Sequence, residues 1–248
     1  MTEEPPAAEQ YFAERPRSRS ARRELRFLYR GELLSFAVDA GVFASHGLDP
    51  GTALLIEHLA VGDGAHVLDL GCGWGAVGVA AAKSSPHGRV VLTDVNRRAA
   101  RLAGENLVRN RIANAEVRVG KLFEPVAGER FDVIASNPPF HAGRETVLEL
   151  LAQAPEHLAP GGRFLLVGKG SQGIRFYQAW LEDRWGAGLR VVGRGSGYRV
   201  LDVPSATPSS EAVKKPTLLL GLPPKKDGGA RARSRARLRA SESVRTGE

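Results

Sequence analysis

His66-Val67-Leu68-Asp69-Leu70-Gly71-Cys72-Gly73-Trp74-Gly75 is the stretch that decides the fold. Its first five residues form an apolar run broken by one acid, which reads as a buried strand. Three glycines at alternate positions end the strand, and the small residues Ala76 to Ser84 then read as a helix. Strand, glycine turn and helix form the unit that cradles a nucleoside or dinucleotide. Glycine lets the backbone approach a ligand, and the first turn of a helix offers N–H groups with no intrahelical partner. A second apolar run, Arg89 to Thr93, ends in Asp94, which lies 23 residues beyond Gly71. An acid about 20 residues past the glycines is where doubly wound sheets hold ribose hydroxyls. These residues predict an adenosine-containing ligand. Gly73-x-Gly75-x-x-Gly78 also matches the nicotinamide fingerprint, so a dehydrogenase is a rival at this point.

The next decisive stretch is Ser136-Asn137-Pro138-Pro139-Phe140, which follows the apolar run Phe131 to Ala135. Two prolines cannot continue a strand, because neither has an N–H for the ladder. They stiffen the chain at the strand's end and hold Asn137 extended. The carboxyl edge of an open α/β sheet is where ligands bind. There, the Asn137 side-chain oxygen and the Pro138 carbonyl can each accept one N–H of an exocyclic amine or an amide. That localises the nitrogen lone pair and stabilises the positive charge that grows as the nitrogen attacks a methyl group. Phe140 offers a face on which a flipped base can stack, or else is simply buried.

Around these two stretches the chain reads as an alternation of elements. Residues 1–21 form an arm without periodicity, including Arg15-Pro16-Arg17-Ser18-Arg19. Leu25, Phe27 and Tyr29, then Gly31-Glu32, then Leu33 to Val38 read as a β-hairpin. Asp49 is placed to cap a helix with Pro50 at its first position, running through Leu54 to Leu59. Arg97 to Asn110 carries an apolar stripe at helical spacing, and Ala115 to Val119 is a further strand. Arg144 to His157 reads as helix, Gly161-Gly162 as a turn into strand Phe164 to Val167, and Ile174 to Trp185 as helix. Leu189 to Val192 and Tyr198 to Val203, separated by Gly193 to Gly197, read as a closing hairpin. The chain after Pro204 turns to Pro, Ser, Gly, Lys and Arg; Leu218-Leu219-Leu220 is a short apolar island that docks on the body or stays free.

Hydrophobic residues make up 42% of the 248, enough for a sizeable core. No apolar run reaches the ~18–20 residues of a membrane span, and Met1 to Gln10 has no signal-like apolar region. Cys72 is the only cysteine, which excludes an internal disulfide and cysteine-rich metal sites. Cytoplasm is the default location. Net charge is +8, which favours an anionic partner. Residues 225–248 hold eight Lys or Arg against three Asp or Glu, a balance of +5, so most of the excess sits in the tail. No metal cluster, nucleophile elbow or Walker loop is present.

Val67 to Gly75 resembles motif I of the class I S-adenosylmethionine-dependent methyltransferases. Ser136 to Phe140, with His141 and Gly143, resembles the catalytic motif of the small-domain methyltransferases that modify guanine N2 in ribosomal RNA. Gly41-Val42-Phe43 through Leu48-Asp49-x-Gly51-Thr52 is similar to that family's lead-in. The resemblance covers about residues 22–203, leaving the arm 1–21 and the basic tail 204–248 outside. It implies an α/β, Rossmann-like fold with a seven-stranded sheet, an antiparallel last hairpin and an N-terminal β-hairpin ahead of it. It implies S-adenosylmethionine held by Asp69, Gly71, Cys72, Gly73 and Gly75, with Asp94 on the ribose and Val95, Lys121, Leu122 and Asn137 completing the site. Asn137, Pro138 and Phe140 are then catalytic, and Phe43, Phe140, His141 and Arg144 face the substrate. The implied partner is ribosomal RNA or a ribosomal subunit.

The family's adenine-binding acid or amide after the third strand is replaced by Gly120-Lys121. The chain is also expected to lack the second, inactive domain of some members, so docking falls to the hairpin, the Arg-rich ends or self-association. Adenine N6 and glutamine N5 transfer, and a non-catalytic RNA-binding module, stand as alternatives. Phe43 reads as a lid, His141 as a positioning group, and Cys72 and Trp74 as packing residues. Arg144 reads as a phosphate contact or a solvated helix start. If the Arg tail binds phosphates without sequence preference, its contribution to RNA affinity falls steeply between about 50 and 200 mM salt, which a titration series checks directly.

Overall fold

Near-continuous apolar runs are the mark of strands buried on both faces, and such runs form the centre of the sheet in the computed structural model. It describes Glu14 and residues 19–44, 47–186 and 188–205. The strands are β1 (Arg23–Tyr29), β2 (Glu32–Val38), β3 (His66–Leu70), β4 (Arg89–Asp94), β5 (Ala115–Val119), β6 (Phe131–Ser136), β7 (Leu158–Lys169), β8 (Arg190–Gly195) and β9 (Tyr198–Pro204). The helices are α1 (Pro50–Glu57), α2 (Ala76–Ser84), α3 (Arg97–Arg109), α4 (Arg144–Gln153) and α5 (Ile174–Trp185). Seven strands pair in the order β5-β4-β3-β6-β7-β9-β8. All pairs are parallel up to β7, and β9 runs antiparallel between β7 and β8. The chain winds outward from β3 through β5, then returns to place β6 on β3's other side. That reversal creates a crevice at the carboxyl ends of β3 and β6.

Helices cover both faces of the sheet. One core joins Leu55, Val79, Leu102 and Val67 to the inner face of the N-terminal hairpin, Leu34, Phe36 and Val38. The other joins Leu151, Ile174 and Leu181 to Phe123, Phe131 and Phe164. The hairpin is a separate two-stranded sheet that docks on the body through aromatics. Phe27 stacks on Phe36 at 5.0 Å between ring centroids, and Phe36 meets Trp74 edge-on at 5.0 Å. Side-chain amides complete the joint. Buried Asn106 takes the N–H of Ala37 and donates to the carbonyls of Ala37 and Trp74, and Asn110 bridges both backbone groups of Ser35. Asp39, whose carboxyl accepts from Ser20 Oγ and the amides of Ala21 and Ala40, pins the entry to the hairpin. Burial pushes that acid up, but these bonds and the nearby Arg98 charge outweigh it and hold it below the usual range.

Three local expectations are corrected. Gly161-Gly162 does not precede a strand: β7 begins at Leu158, and pairing with β6 skips from Leu158 to Arg163, so the glycines lie in a bulge within the strand. The helix from Arg144 stops at Gln153, and Ala154–His157 is a 3-10 turn; Pro155 cannot supply the N–H an α-helix needs there. The closing hairpin turns on Ser196-Gly197 alone, because Gly193 to Gly195 belong to β8. Both residues have positive φ, +49° and +81°, matching the tight turn at Arg30-Gly31 in the first hairpin, +49° and +80°. Leu218-Leu219-Leu220 and the rest of the basic tail lie outside the described residues.

Asn106→Ala would orphan one buried N–H and two buried carbonyls at once. The expected loss is about 3 kcal/mol in urea unfolding.

Candidate active site

Register places the site. Leu70 pairs with Ser136, and Ser136 Oγ donates to the Leu70 carbonyl at 2.8 Å. The residues that follow, Gly71 and Asn137, therefore leave the sheet side by side, one strand spacing of about 4.8 Å apart at the point of exit. The glycine turn is tied to the next strand: Gly71 and Cys72 both donate to the Thr93 carbonyl at 2.9 Å. Gly73 donates to Asp94 Oδ2 at 2.8 Å. Gly71 and Gly73 have φ of +75° and +56°, and a Cβ on either would project into space with no atom within 4 Å. Gly75 differs. A Cβ there would lie 3.2 Å from that of Ala103, so this glycine serves packing of α2 on α3.

A cavity of about 310 Å³ opens at this edge. It gathers Gly71, Gly73, Asp94, Val95, Lys121, Leu122, Asn137, Pro138, Phe140, His141 and Phe43, all candidates from sequence. Asp69 and Cys72 line a smaller adjoining cleft, and Gly75 and Arg144 line neither. Arg144 lies on the exposed start of α4, with its guanidinium 4.6 Å from the Phe176 ring centroid. Cys72 is buried, which pushes its thiol well above the ordinary range, and Trp74 is packed in the core.

The chain past β6 is built as the two prolines dictate. The Pro138 carbonyl accepts the Phe140 N–H at 2.8 Å, and the Pro139 carbonyl accepts that of Ala142 at 2.8 Å. A carbonyl has two lone pairs, so Pro138 retains one. Asn137 is half-buried, and its Nδ2 donates to Asp49 Oδ2 at 3.2 Å and Thr52 Oγ1 at 3.0 Å. Phe140 is half-buried: it packs on Tyr177 and so closely over Gly168 that a Cβ there would come within 2.6 Å of its ring. One side of the ring is thus committed to the core while the residue still lines the cavity.

In sequence Asp49 reads as a helix cap and, with Thr52, as part of the lead-in; neither of them, nor Tyr198, reads as a site residue. Asp49 does cap α1, accepting from the Thr52 N–H at 2.9 Å. The helix-start signal is legible, but no local pattern shows that the capping Oδ2 also takes Asn137 Nδ2 or that Oδ1 takes Tyr198 Oη. Lys121 turns its ammonium to Glu149 on α4 at 3.0 Å, both ends exposed. The wall it shares with Leu122 is therefore apolar and backbone. Thr93 Oγ1, buried at the cavity wall, has no hydrogen-bond partner among the described residues.

These features fit an adenosyl ligand. The two open glycines form a cradle, Asp94 stands at its rim, Val95 and Leu122 supply apolar walls, and Thr93 offers an unused hydroxyl. Both acids are electrostatically raised. Asp69 is pushed up to about 7, chiefly by burial and further by the Asp94 charge, against the Gly78 N–H it accepts at 2.7 Å. Burial pushes Asp94 up to about 6 despite the amides of Asn96 and Gly73. Each acid therefore holds its proton more tightly folded than unfolded. The fold is stabilised fully below the ordinary carboxyl range, loses stability as pH climbs through about 6 and 7, and levels above. Asp69→Asn keeps an oxygen for the Gly78 N–H and removes that loss. At pH 8 the variant should exceed the parent by on the order of 2 kcal/mol in urea unfolding, and match it near pH 4.

Comparison with known proteins agrees with this geometry. Residues 33–202 match the family model described as methyltransferase small domain. The Bacillus subtilis protein YbxB, uncharacterised, is 32% identical over 198 residues, 78% of this chain and 97% of its own length. Ribosomal RNA small subunit methyltransferase C of Mannheimia succiniciproducens is 34% identical over 70% of this chain and 51% of its own, so the chain spans about half of that relative. Among solved structures, the Thermus thermophilus 16S rRNA N2 G1207 methyltransferase RsmC, in complex with AdoMet and guanosine, superposes with a TM-score of 0.67 at 28% identity, over 77% of this chain and 52% of that one. The seven-stranded order, the glycine cradle beside Asn137 and a family match across most of the chain lead to one conclusion: this protein belongs to the methyltransferase small-domain family.

Proposed function

We propose that the chain transfers a methyl group from S-adenosylmethionine to an exocyclic amine of RNA, specifically guanine N2 in ribosomal RNA. The observation that carries the reading is the Asn137 carboxamide at the cavity edge. Its nitrogen is committed to Asp49 and Thr52, and its Oδ1 accepts nothing among the described residues. That oxygen and the spare lone pair of Pro138 are the two acceptors the chemistry calls for. The names of the methyltransferase C relatives and of the structural neighbour favour guanine over adenine or glutamine.

When bound, the cofactor supplies an electrophilic methyl on a sulfonium. Gly71 and Gly73 would hold its amino-acid end and Asp94 its ribose hydroxyls. Val95 and Leu122 would supply apolar contacts to the adenine, with backbone at Gly120-Lys121 in place of an acid. Asn137 Oδ1 and the Pro138 carbonyl accept the two N–H bonds of the target amine, turning its lone pair toward the cradle. The nitrogen would gain the methyl as the carbon–sulfur bond to the sulfonium breaks, leaving a neutral thioether, and its surplus proton would pass to water, so no general base is needed. Phe140 offers the free side of its ring to the base, Phe43 closes over the cleft, and His141 stands at the rim. Exposed Arg26 and Arg30 on the N-terminal hairpin, beside Leu28 and Leu33, supply a docking face for RNA. A ribosomal substrate and the lone cysteine support a cytoplasmic location.

Two measurements test this. Asn137→Ala should keep cofactor affinity by calorimetry while lowering kcat by about 10²–10³-fold, by analogy with removing one fixed dipole from a transition-state site. Nucleoside mass spectrometry of ribosomal RNA from cells with and without the protein should show loss of one N2-methylguanosine. Loss of N6-methyladenosine, or of a methylated glutamine in tryptic peptides, would replace the substrate.

A further inference from the structure

Three elements converge on one side-chain amide. Asn137 leaves the end of β6. Asp49 and Thr52 stand at the start of α1, and Tyr198 at the start of β9. Asn137 Nδ2 donates to Asp49 Oδ2 at 3.2 Å and to Thr52 Oγ1 at 3.0 Å, and Tyr198 Oη donates to Asp49 Oδ1 at 3.1 Å. The Tyr198 ring lies so close to Gly51 that a Cβ there would sit 2.5 Å from Cε1. Residue 51 must therefore be glycine for the tyrosine to reach the acid.

We infer that Asp49, held by Tyr198 and helped by Thr52, orients and polarises the Asn137 carboxamide for methyl transfer. A carboxylate can only accept hydrogen bonds, so it selects the NH₂ end of the amide and forces Oδ1 the other way, toward the cavity. Without it, the amide could turn over and present a donor to a donor. A charge-assisted bond from NH₂ to carboxylate also draws amide resonance toward the C–O⁻ form. Oδ1 becomes a stronger acceptor for the target N–H, fixed before substrate arrives. The plainer account is that Asp49 is only a helix cap. A neutral Asn would serve that purpose as well, since the two residues cap equally. The Oδ2 that caps α1 is the same atom that takes Asn137 Nδ2, so an Asn cap would keep an oxygen there; what it lacks is the charge that polarises the amide and the second acceptor that holds the Tyr198 hydroxyl. The acid thus acts through Asn137 and is a positioning residue. The inference rests on the methyl-transfer reading for its chemistry, but its geometry stands apart from the substrate's identity.

The test uses the full chain with S-adenosylmethionine and ribosomal RNA. Asp49→Asn preserves the cap and removes the charge, and Tyr198→Phe preserves the ring against Gly51 and removes the hydroxyl. Thr52→Val removes one acceptor, and Thr52→Ser restores it. Asp49→Asn should lower kcat by about 100-fold, the scale of a catalytic group misplaced by roughly 1 Å. Cofactor affinity, KM for RNA and Tm should change little. Tyr198→Phe should lower kcat less, and Thr52→Ser should recover most of what Thr52→Val loses.

The second readout does not depend on turnover. In ¹H–¹⁵N spectra, the Asn137 side-chain amide pair is identified by its absence in Asn137→Ala, and it should shift upfield in Asp49→Asn. Wild-type kcat in Asp49→Asn, an unmoved amide pair, or a kcat loss that tracks a fall in Tm would each overturn the inference. If the parent chain methylates no RNA, the function reading fails instead, and the amide spectra still decide whether the clamp exists.

Discussion

Parallel pairing of β3 with β6 is the constraint on which the site depends. Neither strand is near the other in sequence; 66 residues separate Leu70 from Ser136, yet the ladder sets them opposite one another and Ser136 Oγ ties them at the tip. A slip of one residue would turn the apolar set of β6 to the wrong faces, so the register is strongly held. Everything past the tips inherits that alignment. The glycines turn one way over β4, the prolines stiffen the other side, and the crevice between them is where the winding of the sheet reverses. The backbone on both sides of the crevice is thus positioned by ladder and turn hydrogen bonds, and the Asn137 amide is then set by the side chains of Asp49 and Thr52.

The second organising feature is negative charge kept behind a loop of small residues. Burying a carboxyl is unfavourable unless its oxygens find donors. Asp69 and Asp94 find them in the amides of Gly78, Gly73 and Asn96, all on the turn or on helix starts. The acids hold the turn in shape, and the turn makes the acids tolerable. What remains is a cavity wall of negative potential beneath two residues that carry no side chain, an arrangement suited to a ligand bearing positive charge near its backbone-hugging end.

Much of this was legible in the sequence, for physical reasons that differ by element. The bounds of α2 and β5, and the existence of both hairpins, follow from period and turn chemistry, though the closing hairpin turns more tightly than its glycines suggest. The cradle was legible because glycine takes φ of +75° and +56° without strain and leaves the surface of the loop open. The misreadings arise where a residue has two uses. Gly161-Gly162 look like a turn, but in a bulge they let β7 start early and still pair with β6 beyond it. Phe140 reads equally as a stacking face or a buried ring, and the absence of a side chain at Gly168, 28 residues on, lets its ring settle against β7 while the residue still lines the cavity. Asp49 announces a helix start and conceals its hold on Asn137, because the partner lies 88 residues away. Lys121 sits where an acid or amide was expected, and its charge is taken up by Glu149 from a helix no local pattern links to it.

Helix α1 spans only Pro50–Glu57, two turns containing a proline and a glycine, and so has little intrinsic tendency to persist on its own. It is kept by packing of Leu55 and Ile56 on the body. Its first turn is also the abutment for the Asn137 amide. Warming that loosens this short segment would blunt the enzyme while the seven-stranded frame stays whole, so inactivation would precede melting, and cold-adapted or heat-adapted versions of the chain would be distinguished more by how α1 is seated than by the strength of the sheet.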